Sequence, residues 1–501
     1  MESGSDLVRL IDCAKSPPAS LSYLTLSHCW GSTTFLCLNR STIRDFQTGV
    51  PVSLLPQTFR DAILIARRLR VQYLWIDSLC IMQDKDDLSD WLNEAGQMHK
   101  VYSNAILNIS ATGAPNSTKG LFAHRNPETL IPPEVELFLD GLQPSKESTK
   151  HRLARTAFWE TELAQAPLIK RAWVLQERLL APRVLHFGQN ELLWECCEME
   201  ASETYPKGLL PALAMGTSPH FKRLDPLVEG RRLRQYGLQE MDPRFFGHEL
   251  WKRVVENYSA CLLTNGGDKL IALSGIAKRM SRIVGDEYVV GMWKFCLESQ
   301  LLWWAQHRRQ ANHEPSVRSA EYRAPSFTWA SVDGCISPGD FTDKGILIEV
   351  VDVKVDYVTD DVTGPVNGGF LRLKGTLKKL KLERDMDTVT WITIVNGVEV
   401  QWKNSRPAIF LDVDQADFEE QNQRESLYFM PARAPFDRYQ FFMGLILESV
   451  REESARFRRL GVLMTSKQML MQILLDPHDD EKYLPCEECD GRSRRHTISL
   501  I

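Results

Sequence analysis

Ser27, His28, Cys29, Trp30 and Gly31 close the apolar run that opens "YLTLSHCWG". A hydroxyl, an imidazole, a thiol, an indole and a residue tolerant of positive φ supply a proton carrier, a nucleophile, a stacking surface and a turn. Two other apolar runs end in similar fashion. "VQYLWID" leads into Asp77-Ser78-Leu79-Cys80, and "AILNIS" into Ser110-Ala111-Thr112-Gly113. Before the last of these comes "DDLSDWLNEAGQMHKVYSNA", which carries Glu94. On a helix, Leu88, Trp91, Ala95, Met98 and Tyr102 make one apolar stripe and Glu94 falls roughly 70° from its centre. A carboxylate on that border takes a structural partner, such as Arg60 or Arg67, or a raised pKa and a chemical task.

Several chemistries can be weighed on these residues. Cys80 with His28 and Asp77 has the types of a thiol nucleophile, base and orienter, although small cysteines more often only pack. Ser27 and His28 are no nucleophile and base pair within a regular strand, because neighbours there point to opposite faces. A phosphate-cradling GxxxxGK[ST] loop is absent, and "NGGDKL" at 265–270 lacks its spacing. Trp30, Trp75, Trp91 and Trp173 suit a core as well as a ligand platform. Asp77 suits a turn cap, and Gly31 a turn of positive φ. Glu177 in "WVLQER" reads as structural, paired with Arg171, Arg178 or a neighbouring segment.

The elements that must position these groups alternate. The text predicts a strand in "LSYLTLSH", a helix over 58–69, a strand in "VQYLWID", a helix through "DDLSDWLNEAGQMHKVYSNA" and a strand in "AILNISATG". Strand and helix in alternation imply right-handed crossovers on a parallel sheet, whose ligands bind beyond the carboxyl ends of the strands. Residues 123–166 lack periodicity and read as a long loop or insertion. A helix in "LIKRAWVLQERLLA" and a hairpin of "RVLHF" and "ELLWECC" follow. The expected organisation is a lead over 1–20 and an α/β domain over 21–197, its motif core at 21–122 and 167–190. A mainly helical region covers 198–330, including "HELWKRVVENYSACLL" and "KFCLESQLLWWAQHR"; a β-rich accessory region covers 331–482, and a charged tail 483–501.

With 501 residues, more than one core is expected. No run of about 18 apolar residues exists, and the first residues lack the core of a signal peptide, so membrane insertion is not expected and a cytoplasmic location is. A net charge of −5 gives no broad basic field, so no nucleic-acid partner is expected. Eleven thinly spread cysteines suit a reducing compartment. Cys486 and Cys489 have a zinc-like spacing with His496 as a third ligand, but no fourth is evident, and no metal site is assigned.

Taken together, "YLTLSHCWG", the segment from "LPQTFRDAILIARRLRVQYLWIDSLCIMQDKDD" to "NISATGA", and "RAWVLQERLLAPRVLHFG" resemble, in order and spacing, the fungal heterokaryon-incompatibility (HET) domain. "YSACLLTNGGDKLIALSGIA" and "YRAPSFTWASVDG" resemble segments that follow it in many fungal proteins. The resemblance implies self/non-self recognition between fungal cells and the triggering of programmed cell death. It also implies a distant likeness to the TIR fold, whose enzymatic members cleave NAD with one helical glutamate. By that likeness NAD is the expected substrate, no cofactor is expected to be bound, Glu94 is the catalytic carboxylate and Asp77 orients the site. Ser27, His28, Trp30, Gly31, Ser32, Cys80 and Trp91 are the expected ligand-binding set. The alternative is a non-catalytic adaptor that acts by self-association or by recruiting an incompatibility partner. Arg70-Val71 departs from the family where a Gly often precedes the second strand.

Overall fold

The computed structural model describes residues 6–13, 15, 22–137, 149–154, 158–210, 213, 221–235, 241–306, 316–385, 390–400, 407–413, 427–436, 441–450, 455–466, 484–490 and 494–501. The chain forms two compact units, Met1–Tyr236 and Gly237–Ile501.

The first unit is built on a six-stranded sheet. Its elements are β1 (Tyr23–Ser27), α1 (Gln57–Arg68), β2 (Tyr73–Ile76), a short α2 (Asp77–Cys80), α3 (Ser89–Asn104) and β3 (Leu107–Ser110). After the 123–166 region come α4 (Ala172–Leu180), β4 (Arg183–Phe187), β5 (Leu192–Cys196) and β6 (Glu200–Ser202). The sheet order is β6-β5-β4-β3-β1-β2. β2, β1, β3 and β4 are parallel, as the alternation implied. The hairpin adds β5 and β6 antiparallel, so the sheet is mixed rather than purely parallel. Its short loop at Gly188–Glu191 returns the chain beside β4 with no crossover. Within the long insertion, Glu134–Leu137 pairs with Thr149–Arg152, and the "SKES" stretch between them lies outside the described residues.

The two faces of this sheet differ sharply. Leu24, Leu26, Ile76, Leu107 and Ile109 point to one side, where Phe59, Ala62, Ile63 and Ala66 of α1 cover them. That i, i+3, i+4, i+7 spacing is what folds 57–68 as a helix, and each such buried side chain contributes about 1.5–3 kcal/mol. Thr25, Ser27, Asn108, Ser110, His186 and Glu195 occupy the alternate positions, and all six are buried. Their neighbours include Tyr102 of α3 with Glu177 and Arg178 of α4.

The second unit begins with α5 (Phe246–Ser259) and α6 (Ile271–Val284) and continues as an eleven-stranded sheet. Its main path is β7 (Glu349–Tyr357), β8 (Val366–Gly375), β14 (Arg495–Leu500), β13 (Arg456–Ser466), β12 (Phe441–Ser449), β11 (Leu427–Arg433), β9 (Lys378–Asp385), β10 (Thr390–Val395) and the two-residue strand Val398–Glu399. The β-rich character expected for the end of the chain is present. "KFCLESQLLWWAQHR" is not the long helix its composition suggested: among its described residues only Leu297–Gln300 is helical, and Trp304–Ala305 is a strand. Cys296 takes a left-handed conformation and stops any earlier turn, while Leu301, Leu302 and Trp303 are fully buried in succession, which leaves no solvent face for a surface helix. Among the described residues no helix is long and apolar enough to cross a membrane.

Candidate functional site

β1 ends at Ser27 and β2 ends against Asp77, so two parallel neighbours deliver their last residues to one rim of the sheet. The indole Nε1 of Trp30 donates to Asp77 Oδ2 at 3.0 Å, and the Ser78 backbone N–H donates to Asp77 Oδ1 at 2.7 Å. Both oxygens of Asp77 are therefore engaged in holding the rim in shape. Gly31 turns the chain at φ +73°, where an added Cβ would lie 2.4 Å from the Asn116 Cβ. The turn thus requires glycine for both conformation and space.

His28 lies beneath this rim, 3% exposed. Phe59 meets its ring edge-on at 4.9 Å, and Trp30 lies nearly parallel at 6.4 Å. Neither ring nitrogen has a hydrogen-bond partner among the described residues, and Asp77 Oδ1 is 3.7 Å from Nδ1. Burial lowers the imidazole pKa, opposed by Asp77 and aided by Arg171, so the ring is neutral. Cys80 is partly covered, and burial pushes its thiol up to about 12, with Asp77 and Glu94 adding to the rise. A thiol held so high is a poor nucleophile at neutral pH.

Glu94 is half-buried on α3 and accepts from the neighbouring Asn93 side chain at 3.0 Å, not from Arg60 or Arg67. Burial and then Asp90 raise its pKa. Ala95, Met98 and Tyr102 of the anticipated stripe are buried, whereas Leu88 is 54% exposed, since it precedes the helix. Trp91 meets Trp173 of α4 edge-to-face at 6.1 Å, and Ser32 is exposed beyond Gly31. The rim therefore unites Ser27, His28, Trp30, Gly31, Asp77 and Cys80. Glu94 has its hydrogen-bond contact with Asn93 on its own helix, and Trp91 belongs to the α3–α4 contact.

The sequence reading left Glu177 out of the site. Its neighbouring-segment partners prove to be Ser27, whose hydroxyl donates to Glu177 Oε2, and Tyr102, whose hydroxyl donates to the same oxygen at 2.9 Å. Ser27 is tied in turn to Asn108, which donates to Ser27 Oγ at 2.9 Å and accepts from Thr25 at 3.0 Å. Burial pushes Glu177 up to about 7; the Ser27 bond opposes this, Asp77 adds to it, and Arg171 and Tyr102 oppose it. Arg171 donates to the His28 carbonyl at 2.6 Å, and Arg178 turns to Glu195 with bonds of 2.7 and 2.8 Å.

Other parts of the molecule offer less. A small cavity in the second unit, with room for little more than one water molecule and lined by Trp251, Trp303, Trp329 and Phe341 among others, has no titratable side chain in its wall. Among the described residues no group of three or more His, Cys, Asp or Glu side chains could hold a metal ion. No curated protein and no solved structure matches the chain. A protein-family model does match over residues 23–177, and its description is heterokaryon incompatibility protein (HET).

Proposed function

Residues 23–177 are a HET domain, which makes a heterokaryon-incompatibility type of function the premise, and we propose that it acts as a cell-death trigger by cleaving NAD at the strand-end rim. The observation that carries this reading is the anchoring of Trp30 by Asp77 beside the Gly31 turn, where β1 and β2 end. An indole with a fixed hydrogen bond is a preorganised stacking surface for a nicotinamide or adenine ring. Main-chain N–H groups around Gly31 and Ser32 serve the phosphate oxygens. Glu94 binds the ribose hydroxyls and stabilises the oxocarbenium-like charge that grows at C1′ as nicotinamide leaves. Asp77 keeps this array in register. Four parallel strands with crossing helices support the likeness to TIR domains.

The test is NAD concentration over time with the purified full-length chain and its Glu94→Gln variant. Glutamine keeps shape and removes charge, so NAD loss should slow at least tenfold. Equal loss in both removes Glu94 from the mechanism. Cell killing with NAD intact would instead support action by self-association or partner recruitment.

A further inference from the structure

Two buried carboxylates lie on the polar face of the first sheet, and their treatment differs. Glu195 is clasped by the Arg178 guanidinium and faced by His186 at 3.4 Å. Burial would raise its pKa, but Arg178 and His186 outweigh it and hold it well below the ordinary value. That is how a structural carboxylate is kept inside a protein. Glu177, one residue from Arg178, receives two neutral hydroxyl groups, both on Oε2. Oε1 accepts no hydrogen bond among the described residues, and Glu177 as a whole is 7% exposed. An adjacent arginine was at hand and serves the other carboxylate, so Glu177 is buried with half of its hydrogen-bonding capacity unused.

We infer that Glu177 is the general base of this site, with Ser27 and Tyr102 locking Oε2 while Oε1 takes the proton of the water that attacks C1′ of an N-ribosyl pyridinium substrate. This rests on the NAD-cleavage reading. The C1′–N1 bond breaks and nicotinamide leaves with its electron pair as a neutral molecule. Water forms the C1′–O bond and loses one proton to Glu177, which releases it to solvent, so NAD and water give ADP-ribose, nicotinamide and a proton. Two carboxylates with separate roles, Glu94 beside the ribose and Glu177 beneath the attacking water, match the division of labour in glycoside hydrolysis. A base poised near neutral pH fits the burial of Glu177. Ser27 and Tyr102 are positioning residues: each donates to the charged form and thereby favours it.

The test uses the full-length chain with NAD. Glu177→Gln retains an acceptor for both hydroxyl groups; it should lower kcat at least about a hundredfold, with KM within about twofold and the melting temperature at pH 8 maintained. The wild-type rate should rise with pH to a plateau through a midpoint near 7, as a single base requires. Tyr102→Phe removes one donor and should move that midpoint upward, a shift that a purely structural role would not produce. A folded Glu177→Gln that turns over NAD at the wild-type rate, or a wild-type rate flat from pH 5.5 to 8.5, overturns the role of Glu177 alone. A wild-type chain that leaves NAD intact overturns the NAD reading and this role with it.

Discussion

Glu177 ionises near pH 7 in the folded chain, against an ordinary value of 4.5. Between those values the folded state holds a proton that the unfolded state has lost, so stability falls as pH rises through this window. The rise corresponds to about 3 kcal/mol as an upper bound, fully in force above pH 7. Glu177→Gln should therefore lose less stability than wild type between pH 5 and pH 8, which paired melting curves will read. An unchanged difference between the two proteins at both pH values would mean that Glu177 does not titrate there. In the sequence, Glu177 sits beside Arg178 and near Arg171, and an ion pair is the natural expectation. Consecutive helical residues point about 100° apart, so Arg178 faces β5 while Glu177 faces β1. One signal was available: "AWVLQERLLA" is apolar nearly all round, and a helix without a solvent face must bury its polar residues too. His28 offered no comparable signal, because its isolation depends on Phe59 arriving from another element.

At the scale of elements, α1 ends in a motif written with an unexpected residue. The Val71 N–H donates to the Ala66 carbonyl at 2.9 Å and the Arg70 N–H to Arg67 at 3.1 Å, while Arg70 takes φ +57°. These are the two bonds of a Schellman cap, whose left-handed position favours glycine. The departure noticed in the sequence is thus a real cost, met by an arginine. Arg70→Gly should stabilise the chain by about 0.5–1 kcal/mol, visible as a higher denaturation midpoint with an unchanged slope. The strands were legible for a related reason: alternation in "LTLS" and "LNIS" is a local property. Alternation does not say what covers the polar face, and here it is buried rather than solvated. The bonds among Asn108, Ser27, Glu177 and Tyr102 that make that burial tolerable join residues far apart in the chain, so no local pattern announces them.

Across the whole molecule, each unit carries its own buried charge. In the second, Arg459 on β13 pairs with Asp412, donates to the Leu301 and Trp303 carbonyls and lies 3.6 Å above the Trp303 ring. Arg318 reaches the same aspartate at 3.3 Å. Asp412→Ala would leave two guanidinium groups facing a void and should cost about 3–5 kcal/mol. Hydrogen exchange will check it: amides of Arg456–Ser466 should lose protection while those of Tyr23–Ser27 keep theirs, and uniform protection would refute the assignment. The change of composition towards the end of the chain announced a β-rich region, which the structure contains. Their pairing was beyond reach, because Leu371 on β8 meets Leu500 on β14 across a long interval of sequence. That pairing also sets a timetable. β14 lies between β8 and β13, so the sheet cannot close until β14 has left the ribosome. All six strands of the first sheet precede Tyr236 and are available far sooner. At ordinary synthesis rates the interval is on the order of tens of seconds, and throughout it a nascent chain can carry a folded first unit ahead of an unfinished β-sheet.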